Sequence, residues 1–147
     1  MLDRLEAEHE NLRVALGWSL EHQEAATAAQ IGAGIFRFWL LRGYLSEGRR
    51  FLERALGGFS EKNEVRAKAL NVAAILASLQ DDYPTAKTLA EENFSVKPRA
   101  GLSKQVGYAL YILGRLAHLA GNYADAVTCY EESLTLFRAL GDRKSVV

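Results

Sequence analysis

The chain has 147 residues, 49% hydrophobic and 24% charged, which suits one folded domain and excludes a disordered chain. Its 18 basic residues balance 18 acidic ones, so direct binding of nucleic acid, which usually needs a basic face, is not expected. A single cysteine, Cys129, and the lack of a long apolar run predict a cytoplasmic protein without a disulfide, a cysteine-based zinc site or membrane contact.

Apolar residues that recur every three or four positions predict helices along the whole chain. Ser46 and Ser103 are predicted as helix N-caps, and glycines such as Gly43 and Gly141 as helix ends. The pattern predicts about seven helices, at residues 2–22, 24–42, 46–56, 61–80, 82–97, 103–120 and 123–140. Short connections make neighbouring helices antiparallel. The expected organisation is one all-α domain over residues 1–147, with a leading helix (1–22) and hairpins at about 24–58, 61–97 and 101–141.

A repeat is the main signal in the sequence. Predicted turns centre on Gly43, Asp81 and Gly121, at spacings of 38 and 40 residues. A large apolar residue follows each turn two positions later (Leu45, Tyr83, Tyr123), and a small residue follows five positions later (Gly48, Ala86, Ala126). A small side chain is needed where the second helix of a hairpin crosses closest to the first. Near-constant spacing over three units indicates stacked hairpins.

The third unit resembles a tetratricopeptide repeat. The matching positions are Leu110, Leu113, Gly114, Gly121, Asn122, Tyr123, Ala126 and Tyr130. Ala117 stands where that family has an aromatic residue, Ser133 stands where alanine is common, and the first two units depart further. The spacing also exceeds the usual repeat of about 34 residues. The resemblance implies a right-handed α-α superhelix of tetratricopeptide-like hairpins.

A narrower resemblance covers residues 2–16, 38–56 and 130–143. These stretches are similar to the region that follows the ATPase module in bacterial STAND-class transcriptional regulators, including LuxR-type and antibiotic-regulatory proteins. The resemblance implies a non-catalytic sensor that restrains a nucleotide-switched ATPase and its effector domain. It also implies a piece of a longer array, whose exposed apolar ends would allow a homodimer. The alternatives are a stand-alone adaptor that binds a peptide partner and a regulatory appendage on an enzyme.

Residue patterns that support catalysis or cofactor binding are missing from the sequence. No phosphate-binding loop is present, and Arg37 occupies the last glycine position of a dinucleotide fingerprint that would start at Gly32. The three histidines are a poor set of metal ligands, because His9 and His22 lie at opposite ends of the leading helix and His118 lies on a distant predicted helix. The sequence therefore predicts no catalytic residue, no metal site and no cofactor, and the chain is not expected to be an enzyme.

The first helices of the hairpins carry the predicted ligand groove. Tyr108, Tyr111, Arg115 and His118 climb one helical stripe by three, four and three residues. The family resemblance adds Arg37, Lys68 and Asn71, with Gln30, Ala33, Leu40, Ile75 and Ser78 at equivalent positions. The basic members favour an acidic peptide or an anionic ligand, so the expected partner is a protein, a peptide or a small inducer. The alternative is an ordinary amphipathic face with its tyrosines half-buried against the next repeat.

The remaining aromatic residues are predicted to form the core. Phe36, Phe38, Trp39 and Tyr44 favour packing between repeats over a ligand pocket. Trp18 is predicted to join the leading helix to the rest of the chain.

Overall fold

The structure, a computed structural model, describes residues 9–22, 24–95 and 103–146. Within those ranges every regular element is an α-helix, so the predicted all-α class is confirmed. The helices are α1 (His9–Glu21), α2 (Ala25–Gly34), α3 (Phe36–Arg42), α4 (Leu45–Leu56), α5 (Glu64–Leu79), α6 (Tyr83–Ser95), α7 (Ser103–Leu119) and α8 (Tyr123–Val146). The predicted helical residues 2–8 and the predicted turn at Ala100 and Gly101 lie outside the described residues.

The three predicted turns share one backbone conformation. Gly43, Asp81 and Gly121 have φ of 79°, 61° and 83°, and in the described part of the chain these residues alone have positive φ. The residue after each turn donates its N–H to a carbonyl five positions back, and these bonds are Tyr44 to Trp39 at 2.8 Å, Asp82 to Ala77 at 2.9 Å and Asn122 to Ala117 at 2.8 Å. This closure ends a helix with a left-handed residue and satisfies its last carbonyls. The predicted turn positions are confirmed.

The small residues five positions after each turn lie where the second helix of each hairpin packs closely on the first. Ala86 and Ala126 are buried. At Gly48, an added Cβ would lie 2.4 Å from the Trp39 ring, which is too close for any real contact. The chain therefore needs glycine at residue 48 so that α4 can pack on the indole of α3.

Both helices of one hairpin pack on the first helix of the next. α2 contacts α4 and α5, α5 contacts α6 and α7, and α7 contacts α8. In addition, α4 contacts α5 and α6 contacts α7. The core between the first hairpin and α5 is aromatic and leucine-rich, and Phe38, Trp39, Leu52 and Leu76 are its largest fully buried side chains. The core between the second and third hairpins consists mostly of alanine, with Ala74, Ala77, Ala86, Ala90, Ile112 and Leu116. The core role predicted for Phe38 and Trp39 is confirmed.

Two predicted helices differ in extent from the observed ones. The helix predicted over residues 24–42 is interrupted at Ile35, whose φ of −107° and ψ of 13° separate α2 from α3, so the described part has eight helices. Gly32 and Gly34 precede this break, and glycine weakens a helix by about 1 kcal/mol relative to alanine. In contrast, α8 continues through Gly141, since one glycine does not offset the favourable residues around it.

Three local predictions are wrong. Ser46 is not an N-cap, because α4 begins at Leu45 and the Ser46 hydroxyl instead accepts a hydrogen bond from Gln80 Nε2 at 2.7 Å. Helix α5 begins at Glu64, three residues later than predicted, where the Asn63 side chain accepts the Arg66 N–H at 3.0 Å. Trp18 does not join α1 to the core, since its side chain is 55% exposed and stacks on His22 at 4.2 Å.

Candidate functional site

Helix α7 lines a different surface depression on each of its two sides. At about 100° per residue, Tyr108, Tyr111 and Arg115 point to one side of the helix, whereas Leu110, Leu113 and Ala117 point to the other. The first side opens into a cleft of about 410 Å³ between α5, α7 and α8, which we call the aromatic cleft. It is lined by Ile75, Ser78, Leu79, Tyr108, Tyr111, Ile112, Arg115 and Phe137.

Phe137 closes the aromatic cleft from α8. Its ring meets the ring of Tyr108 edge-on, with 5.0 Å between centroids and 63° between planes. A Cβ at Gly107 would lie 3.1 Å from the Phe137 ring, so glycine at this position allows α8 to approach α7. The buried Ser133 hydroxyl donates a 2.7 Å hydrogen bond to the Gly107 carbonyl and fixes the two helices at this point. The cleft wall is thus preformed.

Tyr111, which lines the cleft, pairs with Tyr130 of α8, which is not among the described lining residues. The rings of Tyr111 and Tyr130 are 5.8 Å apart, and Tyr130 packs over Gly114, where a Cβ would be 2.8 Å from the ring. Burial raises the pKa of Tyr130, and the neighbouring Tyr111 raises it further. The phenol therefore stays neutral at physiological pH and is a hydrogen-bonding group, not an anion.

The polar groups of the cleft are cationic or neutral. Arg115 is exposed and forms no ion pair with any described residue, and no carboxylate is among the described residues that line the cleft. Lys104 places its ammonium 6.0 Å from the Tyr108 ring centroid. Tyr108 and Tyr111 are 43% and 51% exposed, so their rings offer apolar area to a ligand. The arrangement can bind a carboxylate with the guanidinium and an apolar group with the rings.

Only part of the predicted groove is brought together. Tyr108, Tyr111 and Arg115 line the cleft, as do Ile75 and Ser78 from the wider predicted set. Lys68 is exposed but lies seven residues before Ile75 on α5, about 10 Å away along the axis. His118 is exposed and packs edge-on against Tyr123, with 5.4 Å between ring centroids, outside the cleft.

Arg37, Ala33 and Leu40 belong to the first hairpin. The side chain of Arg37 lies outside the described residues. Ala33 is 2% exposed and belongs to the core, so its predicted groove position is wrong. Leu40 is partly exposed but does not line the aromatic cleft.

Asn71 lies in the interior, contrary to its predicted groove position. It is 4% exposed, and its amide nitrogen donates to the Gln105 carbonyl at 2.9 Å and to Gln105 Oε1 at 3.0 Å. Its Oδ1 accepts a 3.0 Å hydrogen bond from Asn93, which also donates to the Ala67 carbonyl at 2.7 Å. Asn71 therefore joins α5, α6 and α7 inside the fold, and its hydrogen-bonding groups are used there.

The sequence reasoning missed Leu79, Ile112 and Phe137 as cleft residues. Phe137 follows Tyr130 and Ser133 at helical spacings of three and four, a pattern that places all three on the inner face of α8. That pattern was sufficient to predict that Phe137 faces α7. The spacing did not show that Phe137 and residues of α5 line the same cleft.

The described residues also bear on metal binding and on membrane spanning. No group of three or more histidine, cysteine, aspartate or glutamate side chains is placed to hold a metal ion in residues 9–22, 24–95 and 103–146. In the same part of the chain, no helix combines the length and apolar character needed to cross a bilayer.

Comparisons with known proteins do not assign a ligand to the cleft. No protein-family model matches the chain, and no curated protein or solved structure matches it significantly.

Proposed function

We propose that this chain is a non-catalytic interaction domain of tetratricopeptide-like hairpins, stacked as a right-handed superhelix, and that the aromatic cleft is its ligand site. The observation that carries the proposal is the convergence of Tyr108, Tyr111, Phe137 and Arg115 around one preformed cleft. The left-handed turns at residues 43, 81 and 121 support a repeated hairpin unit, since their spacing and their hydrogen bonds recur.

The residues that line the aromatic cleft suit a ligand with both a carboxylate and an apolar group. Arg115 offers planar N–H donors that suit a carboxylate, and the surrounding rings and aliphatic groups suit an apolar side chain. A volume of about 410 Å³ falls within the range of small-molecule pockets, about 300–1,000 Å³. An acidic peptide segment with apolar side chains, or a small carboxylate inducer, fits both properties.

A regulatory role is the proposed context for this binding. The similarity of residues 2–16, 38–56 and 130–143 to STAND-class regulators supports a sensor that acts on an attached ATPase and transcriptional effector. Occupation of the cleft would then change the packing between hairpins, because its walls come from two of them. Within the described lining, no nucleophile is paired with a general base, which supports recognition without chemistry.

Peptide binding tests the cleft directly. The probe is a fluorescent peptide of about ten residues in which leucine and glutamate recur at helical spacing, titrated with protein and followed by anisotropy. Arg115→Glu should weaken binding by about tenfold or more, because it replaces attraction with repulsion at the carboxylate. Arg54→Glu, a charge reversal at an exposed arginine of α4, is the matched control. Unchanged affinity in the Arg115 variant, with helicity retained by circular dichroism, would place the site elsewhere.

Sequencing the gene beyond the codons for Met1 and Val147 tests whether the chain is attached to an ATPase and further repeats. A phosphate-binding loop upstream and further repeats downstream would support the nucleotide-switched regulator. A start codon at Met1 together with a stop after Val147 would instead favour the stand-alone adaptor. Neither result changes what is expected of the cleft, so the two parts of the proposal are tested separately.

A further inference from the structure

The opposite side of α7 carries a second and larger depression. It has a volume of about 660 Å³, its floor is α7, and its walls are α6 and α8. Leu110, Leu113 and Ala117 line the floor, and this side of the helix is the one that the aromatic cleft does not use. We call this depression the acidic groove.

Short side chains keep the acidic groove open. Ala117 is half-buried and Ala120, one helical turn further, is exposed, so the floor of the groove has only methyl groups at these two positions. Ala117 also occupies the position at which the repeat pattern has an aromatic residue. A ring at that position would cover the floor, whereas alanine leaves apolar surface exposed between two helices.

The rim of the groove is strongly biased towards negative charge. Glu91 on α6 and Asp125 and Glu132 on α8 are exposed lining residues, and Lys87 is the cation among the described lining side chains. Within the described chain none of these three carboxylates forms an ion pair. Carboxylates on both walls above an apolar floor complement a segment that carries basic and apolar residues together.

We propose that the acidic groove binds a short basic amphipathic segment of a partner protein. Its apolar side chains pack on Leu113 and Ala117, and its lysine or arginine side chains pair with the carboxylates of both walls. The floor from Leu110 to Ala120 is about 15 Å long at 1.5 Å per residue, which matches about ten residues of a helix. This site is distinct from the aromatic cleft and selects ligands of the opposite charge.

The probe is a fluorescent peptide of about ten residues with leucine and lysine at the helical spacing used for the leucine–glutamate peptide. Wild-type protein should bind it, with weaker binding as salt rises, because exposed charges are screened. Replacing Glu91, Asp125 and Glu132 by lysine should weaken binding by about tenfold or more. Arg54→Glu, at an exposed position of α4 that lines neither depression, should leave binding of this peptide unchanged. No binding to wild type, or equal binding to the triple variant, would refute the proposal.

Filling the floor gives a second test that does not depend on charge. Ala117→Tyr should abolish binding of the leucine–lysine peptide and leave the leucine–glutamate peptide bound, which also reports that the variant is folded. If Ala117→Tyr does not fold, the triple variant decides alone, because its three substitutions are on exposed side chains. Unchanged binding by a folded Ala117→Tyr protein would show that the peptide does not lie on the floor.

Cys129 reports where the peptide lies, since it is the single cysteine of the chain and lines the groove. A bound leucine–lysine peptide should slow its reaction with a bulky maleimide several-fold, whereas the leucine–glutamate peptide should not. Binding without protection would contradict the groove as the site. Self-association that Ala117→Tyr removes would identify a second copy as the occupant and would overturn a partner segment.

Discussion

On one side of α7, three aromatic rings and an arginine enclose a cleft, whereas on the other side two alanines leave an open floor between one carboxylate on α6 and two on α8. Both depressions have the same central helix, so the difference comes from side-chain size and charge at a few positions. The chain as a whole has no net formal charge. An even composition therefore conceals two surfaces of opposite sign, and overall charge is a poor guide to which partners a helical domain can bind.

Ala126→Arg should have the largest effect, because it should displace α8, which lines both depressions. Ala126 is 3% exposed at the start of α8, where this helix packs on α7. A long charged side chain there leaves a buried charge without a partner, so we expect a loss of more than about 3 kcal/mol in the free energy of unfolding. Urea denaturation measures this loss, and Ala124→Arg at an exposed position is the control. A wild-type curve for the Ala126 variant would show that the helix crossing lies elsewhere.

Asn71→Ala should have a smaller effect on stability. It removes the side chain that joins α5, α6 and α7, and it leaves the buried amide of Asn93 and a carbonyl of Gln105 without this partner. Leaving buried polar groups unsatisfied costs about 1–3 kcal/mol, so the midpoint of urea denaturation should fall. Gln30→Ala, at an exposed amide, should leave it unchanged. An equally small shift in both variants would show that the network does not hold the helices together.

The pKa of Cys129, which lines the acidic groove, should show the negative charge of this side of α7. This is the smallest of the three effects. Burial raises the pKa of the Cys129 thiol, and Glu132 and Asp125 raise it further. Since the thiolate is the reacting form, alkylation by iodoacetamide should have a midpoint above that of an ordinary thiol, about 8.5. Glu132→Gln removes one repelling charge and should lower this midpoint, whereas Glu131→Gln should not. A profile at the ordinary value in wild type would contradict the raised pKa.

The features that the sequence predicted well are local ones. Glycine or aspartate at residues 43, 81 and 121 suits the left-handed conformation, so the turns could be placed from residue type and spacing. Helical spacing alone also placed Tyr108, Tyr111 and Arg115 on one side of α7. Such features depend on a few consecutive turns of the chain, whose geometry is fixed by the backbone.

The features that were missed depend on contacts between distant segments. Asn71 is an amide on a helix, and nothing local shows that its partner is Gln105, 34 residues away. Phe137 reaches the aromatic cleft only because Gly107 allows α8 to come close. The acidic groove brings Glu91 of α6 together with Asp125 and Glu132 of α8, and no pattern within either helix shows that these carboxylates line the same groove.

Because α7 lines both depressions, ligands bound in the two proposed sites would be thermodynamically linked. Any displacement of α7 that accompanies binding on one side changes the shape of the other side. The factor by which the acidic ligand changes the dissociation constant of the basic ligand must then equal the factor in the reverse direction. A domain with both proposed sites would respond to the two ligands together, to an extent that depends on how far α7 moves when one of them binds.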